Sequence, residues 1–245
     1  MFGAFYGSNI FRERLMRVPF TAALALACMF VAGGILVAQG DPDRVIPGGG
    51  IYMQGWTGKI DTQSARQGRV LNDAKLTQDG NAIHIITGPA TTFWNPANTA
   101  SGDYTVKATF REPKFMDLNS HPHSYGIFIG GQDMGSEKMT LVYCVAYGDG
   151  RALVRGFGPA VFTLFNGPNA NVHKAAAVGQ PVTQDIQWTV KGNRAECSVN
   201  GQLLQGYDKS QLVSAGKLKS TDGVYGLRFT HNVEAIITGF AMTKG

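Results

Sequence analysis

The sequence predicts an all-β protein, a two-sheet antiparallel β-sandwich. Three observations carry this. Apolar and polar residues alternate with a period of two in several segments. Turn dipeptides that suit tight hairpins separate those segments. No convincing helix-length pattern follows the first forty residues.

The clearest alternation is "DYTVKATFRE". Tyr104, Val106, Ala108 and Phe110 point to one side, and Thr105, Lys107, Thr109 and Arg111 to the other. "DIQWTVKG" does the same, with Ile186, Trp188 and Val190 as the inward set and Trp188 read as packing. In "RAECSVNG", Ala195, Cys197 and Val199 form that set. "LVYCVAY", Leu141 to Tyr147, is apolar on both faces. It reads as a central strand whose second face is covered or lines a cleft. "NAIHIIT" places His84 on the polar side of a strand. The turns are Asp79-Gly80, Asp149-Gly150, Gly192-Asn193 and Asn200-Gly201, residue types that accept the positive φ of tight hairpins. A short Ala run at 172–180 is expected to form one helical turn over a sheet edge.

The chain has 245 residues, and its start is read as export machinery. Arg12, Arg14 and Arg17 precede an apolar run from Val18 to Ala38. A basic segment, an apolar segment and small residues make a secretory signal, cleaved after Ala38 or Gly40. The competing reading is an uncleaved membrane anchor, since roughly 20 apolar residues can span a bilayer. Residues 1–40 are therefore a signal peptide or N-terminal anchor. Residues 41–50, "DPDRVIPGGG", read as a Pro/Gly-rich linker, and 51–245 as a single domain. The expected location is extracytoplasmic: periplasmic, secreted or envelope-associated.

Three Arg and one Glu leave with the signal, so a net charge of +5 becomes +3. No Lys/Arg run or basic helix accompanies that mild surplus, which argues against nucleic acid. Contact with membrane is expected only through the N-terminal segment. Cys144 and Cys197 remain beyond the signal. Export allows a disulfide between them, and two buried thiols fit the strands equally well.

The order of five pieces carries a resemblance. They are "ASGDYTVKATFRE", "SYGIFIGG", "LVYCVAYGDGRALVRGF", "DIQWTVKGNRAECSVNGQLLQGYD" and "DGVYGLRFTHNVEAIITGFAMTKG". Together they resemble the concanavalin A-like lectin/glucanase jelly roll. Within it, they are similar to the laminin-G-like domain of the bacterial 3-keto-disaccharide hydrolase group. The resemblance implies an exported carbohydrate-active protein that cleaves a glycosidic bond by base-assisted elimination and hydration. The alternative is a non-catalytic glycan-binding or adhesion module of the same fold. The expected partner is a carbohydrate or glycoside.

Ordinary glycoside hydrolysis needs two carboxylates facing each other across the scissile bond. Glu112, Glu137, Glu196 and Glu234 are scattered, and no strand alternates Glu with Asp. Elimination from a 3-keto sugar instead needs a base for the C2 proton and a cation or metal for the enolate oxygen. His121 and His123, in "NSHPHS", are the candidate bases, and Arg155 the candidate cation. The competing reading of the same two histidines, and the stronger one on sequence, is a solvated loop before a strand. Trp94, Asn95, Tyr143 and Tyr147 are candidate sugar contacts, because sugar C–H faces stack on flat aromatics. Trp94 also reads as a plug at one end of the sandwich. Asp133 is a candidate for a hydroxyl or, with Glu137, for a rim calcium ion. The residue pattern assigns no cofactor and no metal. It leaves room for a divalent cation.

Overall fold

The computed structural model describes residues 41–118 and 121–245. The expected signal or anchor lies outside the described residues. No helix among them is long and apolar enough to cross a membrane.

The strands, in chain order, are β1 (Gly50–Ile51), β2 (Thr57–Ile60), β3 (Lys75–Asp79), β4 (Ala82–Ile86), β5 (Thr91–Ala100) and β6 (Tyr104–Glu112). Then come β7 (Asp117–Leu118), β8 (His121–Pro122), β9 (Ser124–Gln132), β10 (Thr140–Tyr147), β11 (Arg151–Phe157) and β12 (Phe162–Pro168). The last five are β13 (Val182–Lys191), β14 (Arg194–Val199), β15 (Gln202–Asp208), β16 (Gly223–Phe229) and β17 (Glu234–Lys244). One sheet has the order β1-β3-β4-β17-β6-β13-β14-β15, and the other β12-β11-β10-β9-β16-β5-β2. Every pairing in the two sheets is antiparallel except β1 with β3. The molecule is a two-sheet jelly-roll sandwich.

The alternating segments do what their periodicity requires. In β6, Val106, Ala108 and Phe110 are buried while Lys107 and Arg111 are exposed. In β13, Ile186, Trp188 and Val190 face the core. Across the interior they meet Tyr125, Ile127 and Ile129 of β9 and Val142, Cys144 and Ala146 of β10. The indole of Trp188 donates to the Ile127 carbonyl at 3.2 Å, which satisfies the one polar atom that side chain brings inside. β10 is buried on both faces from Thr140 to Ala146. The turn residues Gly80, Gly150, Gly192, Asn200 and Gly201 all have positive φ.

Cys144 and Cys197 form a disulfide. It ties β10 of one sheet to β14 of the other through the core.

Two expectations are corrected. The segment 41–50 is not a linker. Asp43 and Ile46 are buried, Gly50 of β1 pairs with Lys75 of β3, and the segment belongs to the same compact unit as the sandwich. Asn232 holds the segment: its amide donates to Asp41 Oδ1 at 2.7 Å and to the Pro42 carbonyl, and its oxygen accepts from Arg44. Pro and Gly here shape a chain that packs, not one that stays apart. The Ala run at 172–180 forms turns and bends, not a helical turn. The side-chain amide of Gln184 takes the backbone of His173 on both sides, accepting from its N–H and donating to its carbonyl. Those bonds occupy groups that a helical turn would use.

Candidate functional site

Register brings three of the expected site residues, Arg155, Tyr143 and Trp94, into one row on the outer face of the seven-stranded sheet. Arg155 pairs with Tyr143, Tyr143 with Phe128, Phe128 with Gly226 and Gly226 with Trp94. Directly paired residues share a face, so this row crosses five strands on one side. The neighbouring row is Leu153, Val145, Gly126, Arg228, Thr92 and Lys59.

The middle of the face is closed. Trp94, Phe128, Leu141, Tyr143, Val145 and Leu153 form a second apolar cluster, all buried. The loop from β9 to β10 contributes to the cover. Lys59 of β2 donates to the Ser136 carbonyl at 2.6 Å and pairs with Glu137 at 2.8 Å. Met134 and Met139 pack on the cluster, and Gly135 passes beside the Trp94 indole. Trp94 therefore packs against protein.

Arg228 is the polar centre of this face. Its guanidinium meets the Asp61 carboxylate at 2.6 and 2.5 Å and reaches Thr92 Oγ1 at 3.2 Å. It also lies over the rings of Tyr143 and Phe157. Burial works against the guanidinium charge, and Asp61 more than offsets it, so its pKa is raised. Burial likewise raises the Tyr143 phenol.

The flank made by β10, β11 and β12 is more open. Arg151 lies 4.9 Å over the Tyr147 ring and pairs with Asp149 at 2.7 Å. Arg155 donates to Thr163 Oγ1 at 3.0 Å. Tyr147, Phe157 and Arg155 are half-buried, and Asn166 and Thr163 are exposed.

The remaining expected residues lie elsewhere. Asn95 accepts from the Ala97 N–H at 2.9 Å, closing a local turn in β5. Asp133 is bound to Lys219. With Glu137 held by Lys59, the two acids expected at a rim calcium site are each committed to a different lysine. His121 belongs to β8, and its side chain lies outside the described residues.

His123 is 1% exposed, so for this ring the solvated-loop alternative does not hold. It has the inward parity of Tyr125 and Ile127, at the end of the sandwich. Its Nε2 lies 2.5 Å from Asp41 Oδ2. The ring of His231, from the turn between β16 and β17, stands edge-on to it at 4.7 Å. His123 and Arg155 are not brought together. Five residues along β9 and two strands across put their backbones roughly 19 Å apart, on opposite faces.

Sequence reasoning missed Arg228 and the Asp41–His231 contact. The first left a signal in "GVYGLRF", where a charge stands at an outward position of an apolar strand. The second left none, because 190 residues separate Asp41 from His231 and the acid sits in a stretch that looks like spacer.

No family model matches the chain, and no curated protein matches it. Solved structures do. A Bacillus subtilis protein of unknown function with a galectin-like fold is 13% identical, with a TM-score of 0.55 over 77% of this chain and 89% of that one. At that identity the likeness is one of fold alone, a two-sheet sandwich like the galectin-like one. A carbohydrate binding module, CBM66, from Bacillus subtilis has 10% identity and a TM-score of 0.44 over 80% of this chain and 99% of that one. A family 16 endo-glucanase from Bacteroides ovatus has 10% identity and a TM-score of 0.47 over 76% and 81%.

Proposed function

We propose that this protein is an exported carbohydrate-binding domain. Its sugar contacts lie on the β10–β12 flank of the seven-stranded sheet. The observation that carries this is that the β10–β12 flank leaves Tyr147 and Phe157 only half-buried beside Arg155 and the exposed Asn166, with Arg151 holding the Tyr147 ring from one face. Half-exposed aromatic faces beside forked N–H donors and an amide are what a sugar ring asks for: C–H stacking on one side and hydroxyl partners at the rim. The jelly-roll fold supports the reading as a frame known to host such sites, and fold alone would not carry it. The Cys144–Cys197 disulfide supports export, because such bonds persist in oxidising compartments.

Elimination from a 3-keto sugar by His121, His123 and Arg155 asks a base and a cation to reach one ring. The separation of His123 from Arg155 favours binding over that chemistry.

The test is a glycan array followed by calorimetry, with a 3-keto-disaccharide assayed in parallel for product release. Binding without turnover is expected. Tyr147→Ala and Arg155→Ala should each weaken it about tenfold, roughly 1.4 kcal/mol. Turnover of the keto-sugar, or affinity unchanged in both variants, would overturn the proposal.

A further inference from the structure

We propose a second site at the end of the sandwich: a divalent transition-metal centre built by Asp41, His123 and His231. Among the described residues this is the group of histidine, cysteine and acidic side chains that converges. One ligand atom from each lies within 4.8 Å of the other two. Asp41 Oδ2 is 2.5 Å from His123 Nε2 and 3.6 Å from His231 Nε2. A tetrahedral ion with bonds near 2.0–2.1 Å sets its ligands roughly 3.3 Å apart, so the three atoms need only shift by about an ångström to hold one.

Outer groups already orient two of the three ligands. His231 Nδ1 lies 3.0 Å from Asp43 Oδ1, an arrangement that turns Nε2 toward Asp41. Asn232 donates to Asp41 Oδ1 at 2.7 Å, leaving Oδ2 as the atom facing the imidazoles. A carboxylate behind a ligating histidine and an amide behind a ligating carboxylate are the supports that metal centres use. Charge points the same way. The Asp41 and Asp43 side chains are 3% and 7% exposed, so the site brings two carboxylates inside beside the two imidazoles. Asp43 Oδ2 is buried with no hydrogen-bond partner among the described residues. A dication would balance that charge where water is largely excluded.

Two imidazoles and one carboxylate suit Zn²⁺, Fe²⁺ or Co²⁺ better than Ca²⁺ or Mg²⁺, which prefer oxygen. The ion would fasten the segment at Asp41 to the start of β9 and to the β16–β17 turn. It would also keep a coordination position beyond the three protein ligands. This site is separate from the sugar-binding flank and does not depend on it.

The experiment uses the full chain, stripped with EDTA. Zn²⁺ is titrated by calorimetry, Co²⁺ is followed by its visible absorption, and metal content after purification is measured. One equivalent per chain is expected. His231→Gln should weaken Zn²⁺ binding at least about tenfold, with unchanged circular dichroism, since that ring is at the edge of the cluster. Asp43→Asn, which touches only the orienting group, should weaken it by about 10–100-fold. Absence of a stoichiometric site in the wild-type protein would overturn the proposal. So would variants that bind Zn²⁺ and Co²⁺ as the wild type does.

Discussion

Arg228 and Asp61, 167 residues apart, meet as a two-pronged ion pair on the outer face of the seven-stranded sheet. The guanidinium is 3% exposed and the carboxylate 30%. The pair sits between the closed apolar middle of that face and the more open flank. Removing one member strands a buried charge, whereas removing both leaves an apolar gap. Asp61→Ala should therefore cost about 2–4 kcal/mol. Arg228→Met added to it should cost less than the two single changes together. Urea unfolding of the four proteins measures the coupling. A coupling near zero would mean that solvent already screens the pair.

The Cys144–Cys197 bond closes a loop of 53 residues. Chain entropy assigns such a loop about 4 kcal/mol. For a domain of this size that is a fall of roughly 8–16 °C in Tm. Calorimetry of the Cys144→Ala, Cys197→Ala double variant should show that fall, and reducing agent should move the wild type and leave the variant where it is.

Glu112 points into the core near Tyr125 and Gly148, with the Met116 N–H on one oxygen at 3.3 Å. Burial pushes its carboxyl up to about 8 from an ordinary 4.5, and the Met116 bond opposes this only in part. Between those values the folded chain holds a proton that the unfolded chain releases. Stability contributed by this group is therefore full below pH 4.5 and is lost as pH rises toward 8. The loss is on the order of a few kcal/mol. Glu112→Gln should flatten the decline in Tm across that window. An equally steep decline in the variant would assign it to other groups.

Gly226 separates Phe128 from Trp94 in their cross-strand row. A Cβ there would stand 2.4 Å from the Phe93 carbonyl oxygen and 2.6 Å from Phe128 Cε1. Gly226→Ala should cost about 1–3 kcal/mol by overpacking. Phe128→Leu in the same chain should recover part of it, since that relieves the ring contact and leaves the backbone one. Chemical denaturation of the single and double variants checks both.

Much of the fold was legible because a strand writes its two faces into consecutive residues. Tyr104 to Arg111, Ile186 to Val190 and the Gly-containing turns needed nothing beyond their own neighbours. The sites were less legible because their parts are remote in sequence. His123 could be picked out beside His121, yet a histidine in a polar stretch carries no mark of the Asp41 and His231 that enclose it. Trp94 and Tyr143 look like sugar platforms by residue type. Burial decides their role, and burial belongs to whatever packs over them. Asp41 to Gly50 looks like spacer because Pro, Gly and acids are common in spacers.

By itself, then, the sequence determined the sandwich: strand periodicity, hairpin turns and a two-faced central strand are local properties that leave little choice of layers. The tertiary structure alone decided which side chains meet. It joined Arg228 to Asp61, Cys144 to Cys197 and Asp41 to two histidines, and it parted His123 from Arg155. The reason is register and closure. Pairing of distant strands sets neighbours across a sheet, and the packing of two sheets sets which of those neighbours lose their water.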